Sequence, residues 1–531
     1  MRRLILCLMA AGAALAQHHD MATPAETPVT LYKGLGNWKH PIATRSEEAQ
    51  RYFDQGLALL YGFNRYEALR SFRKASELDP QAAMAFWGMA MSTGPYINMG
   101  VEGDGDLDSK AACVAVGAGL KIAGTPARDR AYLEAASTRC PEYKPDAYVV
   151  AMKSLAERYP DDLDAATLYA ESLMVPVRWH WYASDGTAAP GVPEAERVLQ
   201  SVLRRWPSHA GANHYFIHAV ESSPAPERGI PSAQQLMGVV PWAGHIVHMP
   251  GHIWLALGDY EMAGSVNERA SAVDREYFAA TKVIGAYAMY YAHNLHFVAY
   301  ARSMQGRRTD TVKAAQDLAE AVAPAAEAMP EMADAFLSVP LLLLTRVQAW
   351  DEILKSPQPA EKFVTQGALW RYARMMAMLG KGDSAGAARE RDAFEAARKR
   401  VAADRPWGNN TCGDVMAMVS EIAAARMGDK PVQHWEKAVA MQDALVYDEP
   451  PAWNYPLRES LGAALVRAGR PADAEKVFRE GLRRSPRDAW MIFGLIEAVK
   501  AQQKTEGLVE LQHELDAAWG KADIKLTLGA M

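Results

Sequence analysis

Gly56-Leu-Ala-Leu-Leu-Tyr-Gly-Phe-Asn-Arg-Tyr-Glu-Ala68-Leu-Arg-Ser-Phe72-Arg-Lys-Ala75-Ser-Glu-Leu-Asp-Pro80 is the stretch that decides the fold. Small residues stand at 56, 68 and 75, a large apolar ring at 72 and proline at 80. Small side chains let two helices approach closely, the bulky one fills the gap between them, and proline stops the second helix. The same set recurs near the C-terminus at the same spacing, as Gly462, Ala474, Phe478, Gly481 and Pro486.

These residues resemble the tetratricopeptide repeat, a helix–turn–helix of about 34 residues. Between the two ends the frame returns more loosely. Ala195, Leu199, Val202 and Pro207 fit a unit beginning at Pro176, and Pro241 closes the next, which begins at Ala210. Gly251, Ala263 and Ala270 fit a unit beginning at Gly244, so successive starts are 34 residues apart. A further unit, framed by Gly306, Ala315 and Leu318, begins near Ala292, and weaker ones surround Gly382–Ala387 and Gly428–Gln433. The resemblance covers most of residues 46–520. It implies an all-α solenoid of helical hairpins, with irregular insertions at 183–193 and 274–287.

The composition agrees with a folded chain: 531 residues, 50% apolar, 23% charged, formal charge −6. A mildly acidic chain has no global attraction for nucleic acid. There is no Walker-type phosphate loop, GxSxG elbow, CxxC pair or HExxH. Met1-Arg2-Arg3, the apolar run Leu4–Ala14 and Ala14-Leu15-Ala16 read as a signal peptide over 1–16, cleaved before Gln17. Residues 17–45 are then a flexible leader, 46–350 an N-terminal solenoid with a His-rich groove, and 351–531 a C-terminal solenoid. No later apolar run reaches the ~18 residues of a membrane span, and a periplasmic location is expected. Cys113, Cys140 and Cys412 remain after cleavage, so at least one thiol is unpaired or pairs with a partner chain; a Cys113–Cys140 bond across a turn near Gly124–Pro126 is one option and two free thiols the other. The new N-terminus Gln17-His18-His19 offers a nitrogen set suited to Cu(II) or Ni(II), against which stands cyclisation of the terminal Gln.

Seven of the 14 histidines lie between 214 and 296, where uniform scatter would put about two. In the unit from Ala210, His214, His218 and Glu221 occupy positions 5, 9 and 12; in that from Gly244, His245, His248 and His252 occupy 2, 5 and 9; in that from Ala292, His293 and His296 occupy 2 and 5. At 100° per residue these positions share an arc of about 80°, opposite the helix-packing positions. The resemblance implies that this face lines the concave groove, where neighbouring helices about 10 Å apart set the imidazoles in rows. Such rows suit one shared transition metal, copper favoured, with zinc or iron as alternatives. Pro250 cannot donate to Ile246, and a helix starting at about Met249 would leave His245 and His248 on the entering segment.

Two functions follow. One is a metal-binding protein or metalloenzyme, with Glu221 or Tyr300 as proton donor or acceptor. The other is a metal-free scaffold of the cell envelope that grips a peptide or protein in the same groove. His434 and His513 are expected to be structural or solvated, His180 to border the groove, and Trp179, Trp181, Trp242 and Trp254 to pack the core or wall the groove.

Overall fold

The computed structural model describes residues 28–98, 108–282 and 286–531; the expected signal peptide and the Gln17-His18-His19 site lie outside them. Among the described residues the chain is helical, apart from a short antiparallel ribbon of Pro406–Trp407 with Asn410–Thr411 and an isolated bridge from Tyr182 to Ala188. Two compact units divide the chain. The first holds the described residues up to Ile253 together with Arg269–Tyr291, and the second holds Trp254–Glu268 and Ala292–Met531. The division read from the repeats, at residue 350, is not where these units part.

In the first unit the opening hairpin pairs Glu47–Tyr61 with Arg65–Leu78. Ser46 caps the first helix through Ala49 N–H and Asn64 caps the second through Glu67 N–H, each meeting a donor that helix geometry leaves unpaired. Phe72 is the wedge of the hairpin. A Cβ on Gly56 would stand 2.7 Å from its ring, and one on Gly88, in the next helix, 2.4 Å. Ala68 and Ala75 beside it are fully buried.

The second unit repeats the device. Phe478 lies between Gly462 and Gly494, whose Cβ atoms would fall 2.4 Å and 2.2 Å from its ring. The turns at Gly382 and Gly428, both with positive φ, join helices where the weaker repeats were read. Arg346 is buried in this unit, its guanidinium 2.6 Å and 2.8 Å from the two oxygens of Glu459, with Tyr455 and Trp490 beneath it. Asp488 caps Ala489–Ala501 through the amides of Trp490 and Met491. The all-α solenoid of helical hairpins is thus the fold of the chain.

Residues 28–45 do not form a loose leader. Tyr32 takes its main-chain N–H to Gln55 (2.7 Å) and its hydroxyl to Glu67 (2.9 Å), and stacks on Trp242 at 4.2 Å. Trp38 and His40 both reach Asp164, and Thr44 reaches Asp79 at 2.7 Å. Polar composition suggested mobility, but Tyr32, Trp38 and His40 meet the buried side chains of Gln55, Glu67 and Asp164. Cys113 and Cys140 form a disulfide, and Cys412 is a buried free thiol. The insertion read at 274–287 is helical as far as Thr281, a continuation of Tyr260–Thr281.

Candidate metal centre

The helix Ala210–Glu221 brings His214, His218 and Glu221 to one face at i, i+4 and i+7. His209 caps it, its Nδ1 accepting from Ala212 N–H at 3.1 Å. Gly211 permits close approach to Glu47–Tyr61, because a Cβ there would stand 2.4 Å from the Tyr61 ring. That approach lets His214 Nδ1 donate to the Tyr61 carbonyl at 2.6 Å.

The second run of histidines is split by Pro250. Gly244–His248 is one short helix and Pro250–Ala256 another, with proline at the start of the second, where its missing N–H costs nothing. His252 N–H turns to Met249 O at 3.2 Å. His245 and His248 therefore sit on a helix of their own rather than on a loop. Gly244 is required by Asp274, whose Oδ1 would lie 1.8 Å from any Cβ.

His214, His218, His245, His248, His252 and Glu221 are buried, none more than 3% exposed. His214, His218 and Glu221 share one face of their helix, but it is not an open groove. Phe63 lies 4.4 Å from the His214 ring and 5.0 Å from His245, Tyr290 lies 4.5 Å from His245, and Trp181 lies 5.7 Å from His218. The repeat spacing specifies neither the turn residue Phe63 nor the irregular segment that carries Trp181, and these rings cover the face. Phe63 and the neighbouring Trp179 have φ of 56° and 62°, left-handed values that cost a residue with a side chain about 1–3 kcal/mol.

The rings form a continuous set. Centroids are 4.9 Å apart for His214–His218 and His214–His245, and 4.5 Å for His248–His252. His214, His218 and His245 each offer a ring nitrogen within 4.8 Å of the others. Two hydrogen bonds fix which nitrogen is free. His214 spends Nδ1–H on Tyr61, and His218 spends Nδ1–H on Glu221 Oε1 at 2.8 Å, so both Nε2 atoms carry lone pairs. His214 Nε2 and His245 Nε2 are 3.2 Å apart. Two imidazoles bound at about 2.0–2.1 Å to one tetrahedral ion stand about 3.3 Å apart. His218 Nε2 and His245 Nδ1 have no hydrogen-bond partner among the described residues. Either tautomer of His245 therefore leaves a buried ring nitrogen unsatisfied.

Electrostatics agree with a ligand set. Burial, and then the neighbouring imidazoles, hold His214 and His245 well below the usual histidine range, so both are neutral at pH 7. Burial alone would raise the Glu221 carboxyl, but His252 and His218 outweigh it and hold it well below the usual range. Glu221 was read as a ligand. Its Oε1 takes the His218 contact and its Oε2 pairs with His252 Nδ1.

His293 and His296 belong to the second unit, where they lie against Phe297 (4.9 Å) and Phe336 (5.5 Å). Tyr300 is buried in that unit, and burial raises its hydroxyl pKa. His180 and His513 are exposed, and His434 pairs with Glu421 at 2.5 Å. Sequence reading passed over His40 and His209. Both face Asp164, which also receives Tyr61 Oη (2.6 Å) and Trp38 Nε1 (3.0 Å). No spacing signal joins residues 38, 40, 164 and 209.

Residues 456–498 match the family model of the tetratricopeptide repeat. No curated protein matches the chain by sequence. Among solved structures, the chain is similar to a human IFIT1 dimer with m7Gppp-AAAA, at 12% identity, covering 91% of this chain and 92% of that one, with a TM-score of 0.34. It is similar also to Cut9 with Hcn1 from an APC/C hetero-tetramer (13% identity, 93% and 82% covered, TM-score 0.32) and to yeast Tom70 (11%, 88% and 93%, TM-score 0.28). Residues 456–498 are thus a tetratricopeptide repeat within an all-α chain of helical hairpins.

Proposed function

We propose that the chain is an extracytoplasmic tetratricopeptide-repeat protein whose first unit binds a transition-metal ion through His214, His218 and His245. The observation that carries this is the meeting of three buried imidazoles, two with their lone pairs fixed inward by Tyr61 and Glu221. Neutral imidazole suits copper, zinc or iron; copper is favoured by the expected oxidising compartment. That compartment is supported by the leader sequence and by the Cys113–Cys140 disulfide, because such bonds persist outside the cytosol.

Elemental analysis of purified protein tests the reading, with His214→Ala and His245→Ala beside it. Stoichiometric metal that both variants lose is expected. Wild-type protein that stays metal-free after dialysis against copper, zinc and iron would refute it. A protein partner, the usual reading of the repeat, would engage surfaces other than the buried histidine face, and pull-down with a His214→Ala variant separates the two roles.

A further inference from the structure

We infer that the centre has a second ion position, on His248 and His252, joined to the first through Glu221. The inference rests on the metal-binding reading above and extends it to a pair of ions. His252 Nδ1 is held by Glu221 Oε2, which leaves Nε2 as its lone-pair nitrogen. That atom meets His248 Nε2 at 2.5 Å. The two rings converge on one point between their helices, and opening the pair to about 3.3 Å by ring rotation would make room for an ion. Both nitrogens point to one place, as two ligands of one ion do.

The geometry makes the two positions neighbours. Ring centroids are 5.6 Å apart for His218–His252 and 5.5 Å for His245–His248, so one imidazole of each position faces one of the other. A single carboxylate sets both. Glu221 Oε1 fixes His218 at the first position and Oε2 fixes His252 at the second. The break at Met249–Pro250 lets His245 and His248 ride on one short helix and His252 on the next. The ligand class is an imidazole-preferring transition ion at each position. Paired ions of this kind can hold two oxygens of one small ligand at once.

Titration of the metal-free full chain with Cu(II), followed by gel filtration and elemental analysis, tests this. Two copper ions per chain are expected. His248→Phe and His252→Phe should keep one, and His214→Phe should keep the other. Glu221→Gln should weaken both positions by about 10–100-fold, the usual effect of losing an orienting partner. Circular dichroism and melting curves check that each variant folds. A readout without substitution is the electron paramagnetic resonance of the doubly loaded wild type, where neighbouring Cu(II) ions broaden or cancel each other's signal. One copper per chain with the spectrum of an isolated ion, unchanged by His248→Phe or His252→Phe and lost in His214→Phe, overturns the second position and leaves the first standing. No copper at all in folded wild type overturns both.

Discussion

His214 Nδ1 donates to the main-chain oxygen of Tyr61 at 2.6 Å, while the hydroxyl of the same tyrosine donates to Asp164 at 2.6 Å. One residue thus joins the histidine centre to the buried carboxylate that holds the N-terminal segment. The centre uses its backbone and the anchor uses its side chain, so the two roles can be separated by substitution.

Tyr61→Phe keeps the carbonyl and removes the hydroxyl. The metal content of the purified protein should be unchanged. Stability should fall by about 1–3 kcal/mol, because Asp164 loses a buried donor. Chemical denaturation and elemental analysis on one preparation check both halves. Loss of metal with unchanged stability would contradict the assignment.

The anchor should respond to pH with a definite sign. Burial lowers the His40 pKa, but its hydrogen bond to Asp164 and the charges of Asp164 and Asp162 outweigh this and raise it; Arg128 opposes them weakly. A raised histidine contributes stability fully below its unfolded value and loses it as pH rises through the folded one. Burial raises the Asp164 carboxyl, but its bonds from His209 and His40 hold it far below the usual range. It contributes above its unfolded value and fails as pH falls toward the folded one. The anchor is therefore firmest between about pH 4 and 6.5. The difference in melting temperature between wild type and His40→Gln should be larger at about pH 6 than at about pH 9. An equal difference at both would exclude a charged His40.

Reduction should destabilise the first unit. The Cys113–Cys140 bond closes 27 residues, a loop for which chain entropy gives about 3.5 kcal/mol. A Cys113→Ser and Cys140→Ser double variant should melt earlier, and a reductant should shift only the wild type.

In the second unit, Arg346→Met should cost about 3–5 kcal/mol, since it leaves Glu459 buried without its cation. Adding Glu459→Leu should recover most of that loss. Denaturation midpoints of the single and double variants give the answer.

Much of the fold was legible because its logic is local. Gly56 with Phe72 and Gly462 with Phe478 lie within one hairpin, so a fixed spacing reveals the wedge; Gly88 and Gly494, which complete it, belong to the next helix. The histidine face was legible for the same reason, since i, i+4 and i+7 share a helix side. Its burial was not. Phe63 stands in the turn of the first hairpin, Trp181 in an irregular segment and Tyr290 on the helix Ala288–Met304, at positions to which the repeat spacing assigns no residue type. The two ring contacts of Glu221 also escaped, because spacing does not show which partners its oxygens meet. Asp164 was invisible for a further reason: its partners come from sequence separations of 124 residues for His40 and 103 for Tyr61.

The docking of residues 28–45 bears on how the protein should be made in the laboratory. A recombinant product begun at Ser46, the first helix cap, would discard Trp38 and His40 together and strip Asp164 of two donors at once. Tags and truncations belong upstream of Val29, whose carbonyl already accepts from Tyr52.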